Sequence, residues 1–193
     1  ILNHVAEALL GKGRSLAKLG QIEKAISHLN DAVTGYAEIA DVEVQGQIAA
    51  AFLAKGQILE QILRPDEAIQ AYEMQATQFR LIEPKLQSNR PQQPRRPEIS
   101  TAEQENRAKL AALGLADEQA LSFSLAATFW EEDLHRLESQ VADGMLRKAK
   151  LLSDLGRTAE ALQVHDQVLS SFPESEAAAE VQGTNLDMDA KGS

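Results

Sequence analysis

VAEALLGKG, residues 5–13, returns 43 positions later as IAAAFLAKG, residues 48–56, and again 93 positions after that as VADGMLRKA, residues 141–149. Ala6, Ala49 and Ala142 share one place, Leu10, Leu53 and Leu146 a second, and Lys12, Lys55 and Lys148 a third. A small residue follows each lysine: Gly13, Gly56 and Ala149. Self-similarity at a fixed long period marks a chain built from stacked supersecondary units.

Each copy continues alike. Apolar residues at three- and four-residue steps carry a helix through Leu16 and Leu19, through Leu59 and Ile62, and through Leu152 and Leu155. Gly20 and Gly156 stop the outer two, since glycine adopts the left-handed backbone just past a helix end at little cost. A second helix follows, with Ala25, Ile26 and Leu29 in the first copy, Ala68, Ile69 and Tyr72 in the second, and Ala161 and Leu162 in the last. Pro65 suits a first helical turn, and Asp66 and Glu67 complement its positive end.

A weaker copy lies between the second and the last. Ser100-Thr101-Ala102-Glu103 reads as a capping box. A helix through Arg107, Leu110 and Leu113 is expected to end near Gly114, and another to start near Asp117. The expected organisation is two hairpins over 1–83, a Pro/Arg-rich insertion over 84–99, a degenerate hairpin over 100–140, a fourth hairpin over 141–173, and a capping helix with a disordered acidic tail over 174–193. The insertion holds four of the six prolines, and proline blocks helix and strand ladders alike.

Composition agrees with an all-α chain: Ala, Leu, Glu and Gln dominate, and aromatics are only 4 %. A net charge of −10 argues against a general nucleic-acid binder. The absence of cysteine removes disulfides, thiolate metal sites and cysteine nucleophiles. No apolar run approaches the roughly 20 residues of a membrane span. The pattern is already helical at Ile1, so the chain is expected to be a piece of a larger protein, cytoplasmic by default.

In the order Gly13, Leu16, Gly20, Ala25, Leu29, Ala32 the sequence resembles the tetratricopeptide repeat. Gly56, Leu59, Ala68 and Tyr72 follow the same order, with Leu63 replacing the turn glycine and Gln75 the later alanine. Ala149, Leu152, Gly156, Ala161 and Pro173 follow it again, with His165 and Val168 as departures. The 43-residue spacing is wider than the family's period of about 34, as in a bacterial variant with longer helices. The resemblance implies a right-handed superhelical solenoid of antiparallel helical hairpins, whose first helices line a concave wall that binds a peptide or partner helix.

On that wall the resemblance places Leu10, Arg14 and Lys18, then Leu53, Gln57, Glu60 and Gln61, then Leu146, Arg147, Lys150 and Asp154. An ordinary solvated helix face is the competing reading. Relatives that grip chaperone tails use lysine and asparagine where this chain has Leu10, Arg14 and Ala54, so that activity is not expected.

Other motifs weigh less. The ladder Lys12, Lys55, Lys148 reads either as a basic stripe or, preferably, as lysines packing their stems on neighbouring helices. Pro91–Arg96 resembles a ligand of SH3-type domains but reads more simply as a linker. Gly11–Ser15 lacks the upstream glycine of a phosphate loop, and the four histidines show no metal-ligand spacing. Trp130 reads as packing. The expected function is therefore a non-catalytic module that binds a protein or peptide, without cofactor or metal. The alternatives are a regulatory or sensor domain of an attached enzyme and a self-associating scaffold.

Overall fold

The computed structural model describes residues 2–91 and 118–191. Over these residues the chain is helical and contains no strand. The helices are α1 (Leu2–Lys18), α2 (Ile22–Tyr36), α3 (Val42–Gln61), α4 (Pro65–Ser88), α5 (Glu118–Asp154), α6 (Thr158–Ser171) and α7 (Glu176–Lys191). α1 packs on α2, α3 on α4, and α5 on α6. The first helices also touch in succession, α1 with α3 and α3 with α5, whereas α2, α4 and α6 do not pack directly on one another. This is an all-α solenoid of hairpins closed by α7, which rests on α5 and α6.

The three hairpin turns are built alike. Gln21 N–H donates to Leu16 O at 2.9 Å, Arg64 N–H to Leu59 O at 2.9 Å, and Arg157 N–H to Leu152 O at 2.8 Å. Each bond spans five residues and needs a left-handed residue just before its donor. Gly20 supplies it at φ 74° and Gly156 at φ 76°. Leu63 holds the same conformation at φ 58° with its side chain 87 % exposed. A left-handed leucine costs about 1–2 kcal/mol and buries nothing in return. Leu63→Gly is therefore expected to stabilise the chain by about 1 kcal/mol, after glycine's larger unfolded-state entropy is subtracted. A urea titration reads this directly, and an unchanged or lower midpoint contradicts it.

Small residues set how closely the helices of a hairpin approach. A Cβ on Gly13 would run into the Leu29 side chain, and one on Gly56 into the Tyr72 ring. Leu29 and Tyr72 are both fully buried.

Between hairpins the pattern shifts in an instructive way. Ala32 of α2 and Ala51 of α3 share one buried cluster. At the equivalent places of the next interface stand Gln75 of α4 and Gly144 of α5. A Cβ on Gly144 would fall inside the Gln75 amide. The amide, 1 % exposed, donates to Ala49 O of α3 at 2.9 Å and to Gln140 O of α5 at 3.1 Å. The Gln75 departure thus has a partner: where this side chain is larger than Ala32 of the first interface, the residue facing it has no Cβ.

Three expectations change. The boundary expected between 140 and 141 is absent, because α5 runs unbroken from Glu118 to Asp154. No proline or glycine occurs between Leu115 and Asp143, and the buried stripe Leu134, Leu137, Val141, Met145, Ala149, Leu152 keeps helical spacing throughout. The described residues therefore form three hairpins, with the back half of α5 as the first helix of the third. The first helix expected for the degenerate hairpin lies outside the described residues.

The expected insertion also starts late. α4 continues through Pro84 to Ser88. Proline forfeits one backbone bond there, but Ile82 and Leu86, 2 % and 0 % exposed, hold both sides of it in the core. Residues 92–99 are outside the described set. Finally, the capping helix continues to Lys191, into the stretch expected as a disordered acidic tail. Ser175 starts it, its Oγ accepting from Ala178 N–H at 3.1 Å.

Candidate functional site

Because α1, α3 and α5 stand side by side, their free faces form one wall. Arg14 and Lys18 lie one turn apart on α1, and Gln57 and Gln61 one turn apart on α3. All four line a trough of about 250 Å³ floored by Ala17, Ala54 and Ile58. Arg14 and Lys18 are exposed and have no ion-pair partner among the described residues. On a chain with net charge −10, this is a local patch of unneutralised positive charge.

Farther along the wall, the residues engage one another. Tyr72 Oη, inside the α3–α4 hairpin, donates to the Glu60 carboxylate. Burial pushes the Tyr72 phenol far above its usual range and the Glu60 charge adds to this, so the phenol stays a donor. Arg147 pairs with Asp143 at 3.3 Å along α5. Burial opposes its charge, but Asp143, Tyr72 and Glu60 together outweigh that and raise its pKa. Glu60 and Arg147 thus belong to a partly buried cluster spanning α3, α4 and α5, while Lys150 and Asp154 are exposed.

Leu10 is not on the wall. It is 5 % exposed and packs in the cluster that contains Ala50, Ala54 and Ile58. Leu53 and Leu146 are half-buried and pack against core clusters. They sit at the edge where each first helix meets its neighbour.

The lysine ladder packs between hairpins. Lys55 Nζ donates to Asn30 Oδ1 on α2 at 2.9 Å, and Lys148 pairs with Glu73 on α4. Each reaches back to the same place on the second helix of the preceding hairpin. Burial lowers the Lys55 pKa, with Glu67 opposing. Lys12 is exposed. These contacts support the stem-packing reading over a continuous basic stripe.

The remaining motifs find structural places. Gly11–Ser15 lies inside α1, with Ser15 Oγ donating to Gly11 O at 2.9 Å. Trp130 packs against the largest core cluster under the Arg90 guanidinium, 5.7 Å from the ring centroid. Beyond Pro91, the SH3-ligand-like segment is outside the described residues. Among the described residues no group of three His, Asp or Glu could hold a metal ion, and no helix is long and apolar enough to cross a membrane.

Sequence reasoning missed Gln45 and Gln78. Gln45, 2 % exposed, donates to Ile39 O at 2.8 Å and Ala37 O at 3.1 Å, and Gln78 donates to Ala37 O at 2.7 Å. Together they tie down the α2–α3 connection. Buried glutamines need such partners, but nothing in their spacing reveals the loop that they hold.

The family model of the tetratricopeptide repeat matches residues 7–38 and 143–175. The first match covers most of the α1–α2 hairpin, the second the back of α5 with α6. The hairpin between them carries Leu63 and Gln75, the two departures that the structure accommodates by a left-handed leucine and by Gly144. Comparison with curated proteins finds no match. With its repeated turns, its hairpin packing and a family match at either end, the chain carries tetratricopeptide repeats in its first and last hairpins.

Proposed function

We propose that the chain is a non-catalytic interaction module that holds an acidic segment of a protein partner along the wall of α1 and α3. Tetratricopeptide repeats are generally protein–protein interaction modules and typically non-catalytic. The observation that carries the finer reading is the trough itself: two cations without partners face two amides across an apolar floor. Arg14 and Lys18 would meet carboxylates of the segment. Gln57 and Gln61 can donate to and accept from an extended backbone. The floor of Ala17, Ala54 and Ile58 takes small apolar side chains. Helices already packed in place lower the ordering cost of capture.

Fluorescence anisotropy with a labelled Glu/Ala dodecapeptide tests this. Binding should weaken in high salt and fall by about tenfold or more in Arg14→Glu/Lys18→Glu, since each reversal replaces attraction with repulsion. The matching Lys/Ala peptide should not compete. Equal binding by the wild type and the double variant would sink the assignment.

A further inference from the structure

The second helices α4 and α6 do not pack directly on one another, and a groove opens between them with α5 as its floor. Two adjoining cavities of about 230 and 210 Å³ occupy it and share Glu138, Ser171 and Phe172. Val141 and Met145 of α5, Phe79 of α4 and Phe172 after α6 form an apolar base, with the two phenylalanine rings 5.6 Å apart. At 100° per residue, Glu138, Val141 and Met145 lie on the face of α5 opposite Arg147, Lys150 and Asp154. The groove is therefore a different surface from the wall described above.

Its rim is acidic. Glu83, Glu138 and Glu174 line the two cavities and have no hydrogen-bond or ion-pair partner among the described residues. Arg80 also lines the groove, but it is turned along α4 to Thr77 at 3.3 Å and Glu73 at 3.5 Å. His135 stands one turn before Glu138 on α5, lines the same cavity and bears on its charge. No group of three His, Asp or Glu among the described residues is set to hold a metal ion, so a compact point charge is not what the groove fits. An apolar base under unneutralised carboxylates matches a side chain with a hydrocarbon stem and a cationic head.

We propose that this groove docks a lysine or arginine side chain of a protein partner, its stem on Phe79, Met145 and Phe172 and its head among Glu83, Glu138 and Glu174. The electrostatics favour such a guest. Burial raises the Glu138 pKa; His135 opposes this, and the charges of Glu83 and Glu174 add to it. A cation seated there relieves that strain on the ionised form. A partner held on both faces of the solenoid gains by effective concentration what neither contact supplies alone.

The test is an amide-NMR titration of the full chain with N-acetyl-arginine amide, whose only charge is the guanidinium, beside uncharged N-acetyl-norleucine amide. The arginine probe should give saturable shifts confined to residues around Phe79, Glu138, Met145 and Phe172. The norleucine probe should bind about fivefold more weakly or worse, as should the arginine probe with Glu83→Gln/Glu138→Gln, a loss equivalent to about 1 kcal/mol. Both substitutions are on partly exposed side chains, and a thermal melt verifies that the variant is folded. The proposal is overturned by the absence of a saturable shift, by equal binding of the two probes, or by shifts that survive the double substitution.

Discussion

Gly144→Ala is expected to lower stability by about 2–3 kcal/mol, although alanine is the better helix former by about 1 kcal/mol. The added methyl would fall inside the Gln75 amide. Overpacking of this kind costs about 1–3 kcal/mol. Displacing the amide also breaks its bonds to Ala49 O and Gln140 O, each contributing about 1 kcal/mol. Urea denaturation followed by circular dichroism gives the number. The decisive companion is Gln75→Ala/Gly144→Ala, which rebuilds the Ala32–Ala51 arrangement of the first interface. Ala49 O and Gln140 O lie within helices α3 and α5, so losing the amide leaves them in their helical ladders. The double variant should recover to within about 1 kcal/mol of wild type, an interaction energy of about 2 kcal/mol. Additive losses would show that Gly144 is needed for some reason other than Gln75.

Tyr72→Ala is expected to cost about 4 kcal/mol, the range of large aromatic truncations in cores. The ring is fully buried, faces Gly56 across the hairpin, and anchors a cluster with Leu59, Ala68 and Ala71. Tyr72→Phe keeps the ring and removes only the donor to Glu60, for about 1 kcal/mol. Glu60 is only partly buried and can turn to water. The gap between the two variants, read from the same denaturation curves, separates packing from hydrogen bonding. If Tyr72→Phe cost as much as Tyr72→Ala, the hydroxyl and not the ring would be the anchor.

The parts of the fold set by local chemistry were legible in the sequence. Gly20 and Gly156 announced their turns, Pro65 with Asp66 and Glu67 announced a helix start, and the recurring Ala, Leu and Lys fixed the order of the hairpins. Leu63 was visible as a departure, but only φ shows that it takes the glycine conformation. Gln75 was visible too, but its compensation lies 69 positions away at Gly144, in a helix brought near only by packing. The course of α5 was misjudged because weak similarity outweighed a stretch without helix breakers. On the wall, Arg14, Lys18, Gln57 and Gln61 line one trough, whereas Leu10 turns inward. A leucine between two helices of one layer can face either way, and single-helix periodicity does not decide it.

The exchange of size between Gln75 and Gly144 bears on how the chain avoids assembling wrongly. Proteins made of similar units are prone to mispairing and swapping, since any hairpin offers roughly the same surface to any other. Here the two junctions carry different keys. If the first hairpin docked directly on the third, Ala32 would face Gly144 and leave a void. If the α4 face met α3 of a second molecule, Gln75 would meet Ala51, a methyl where it needs none. Both errors are penalised by shape, so each junction carries a pair of residues that favours its native neighbour.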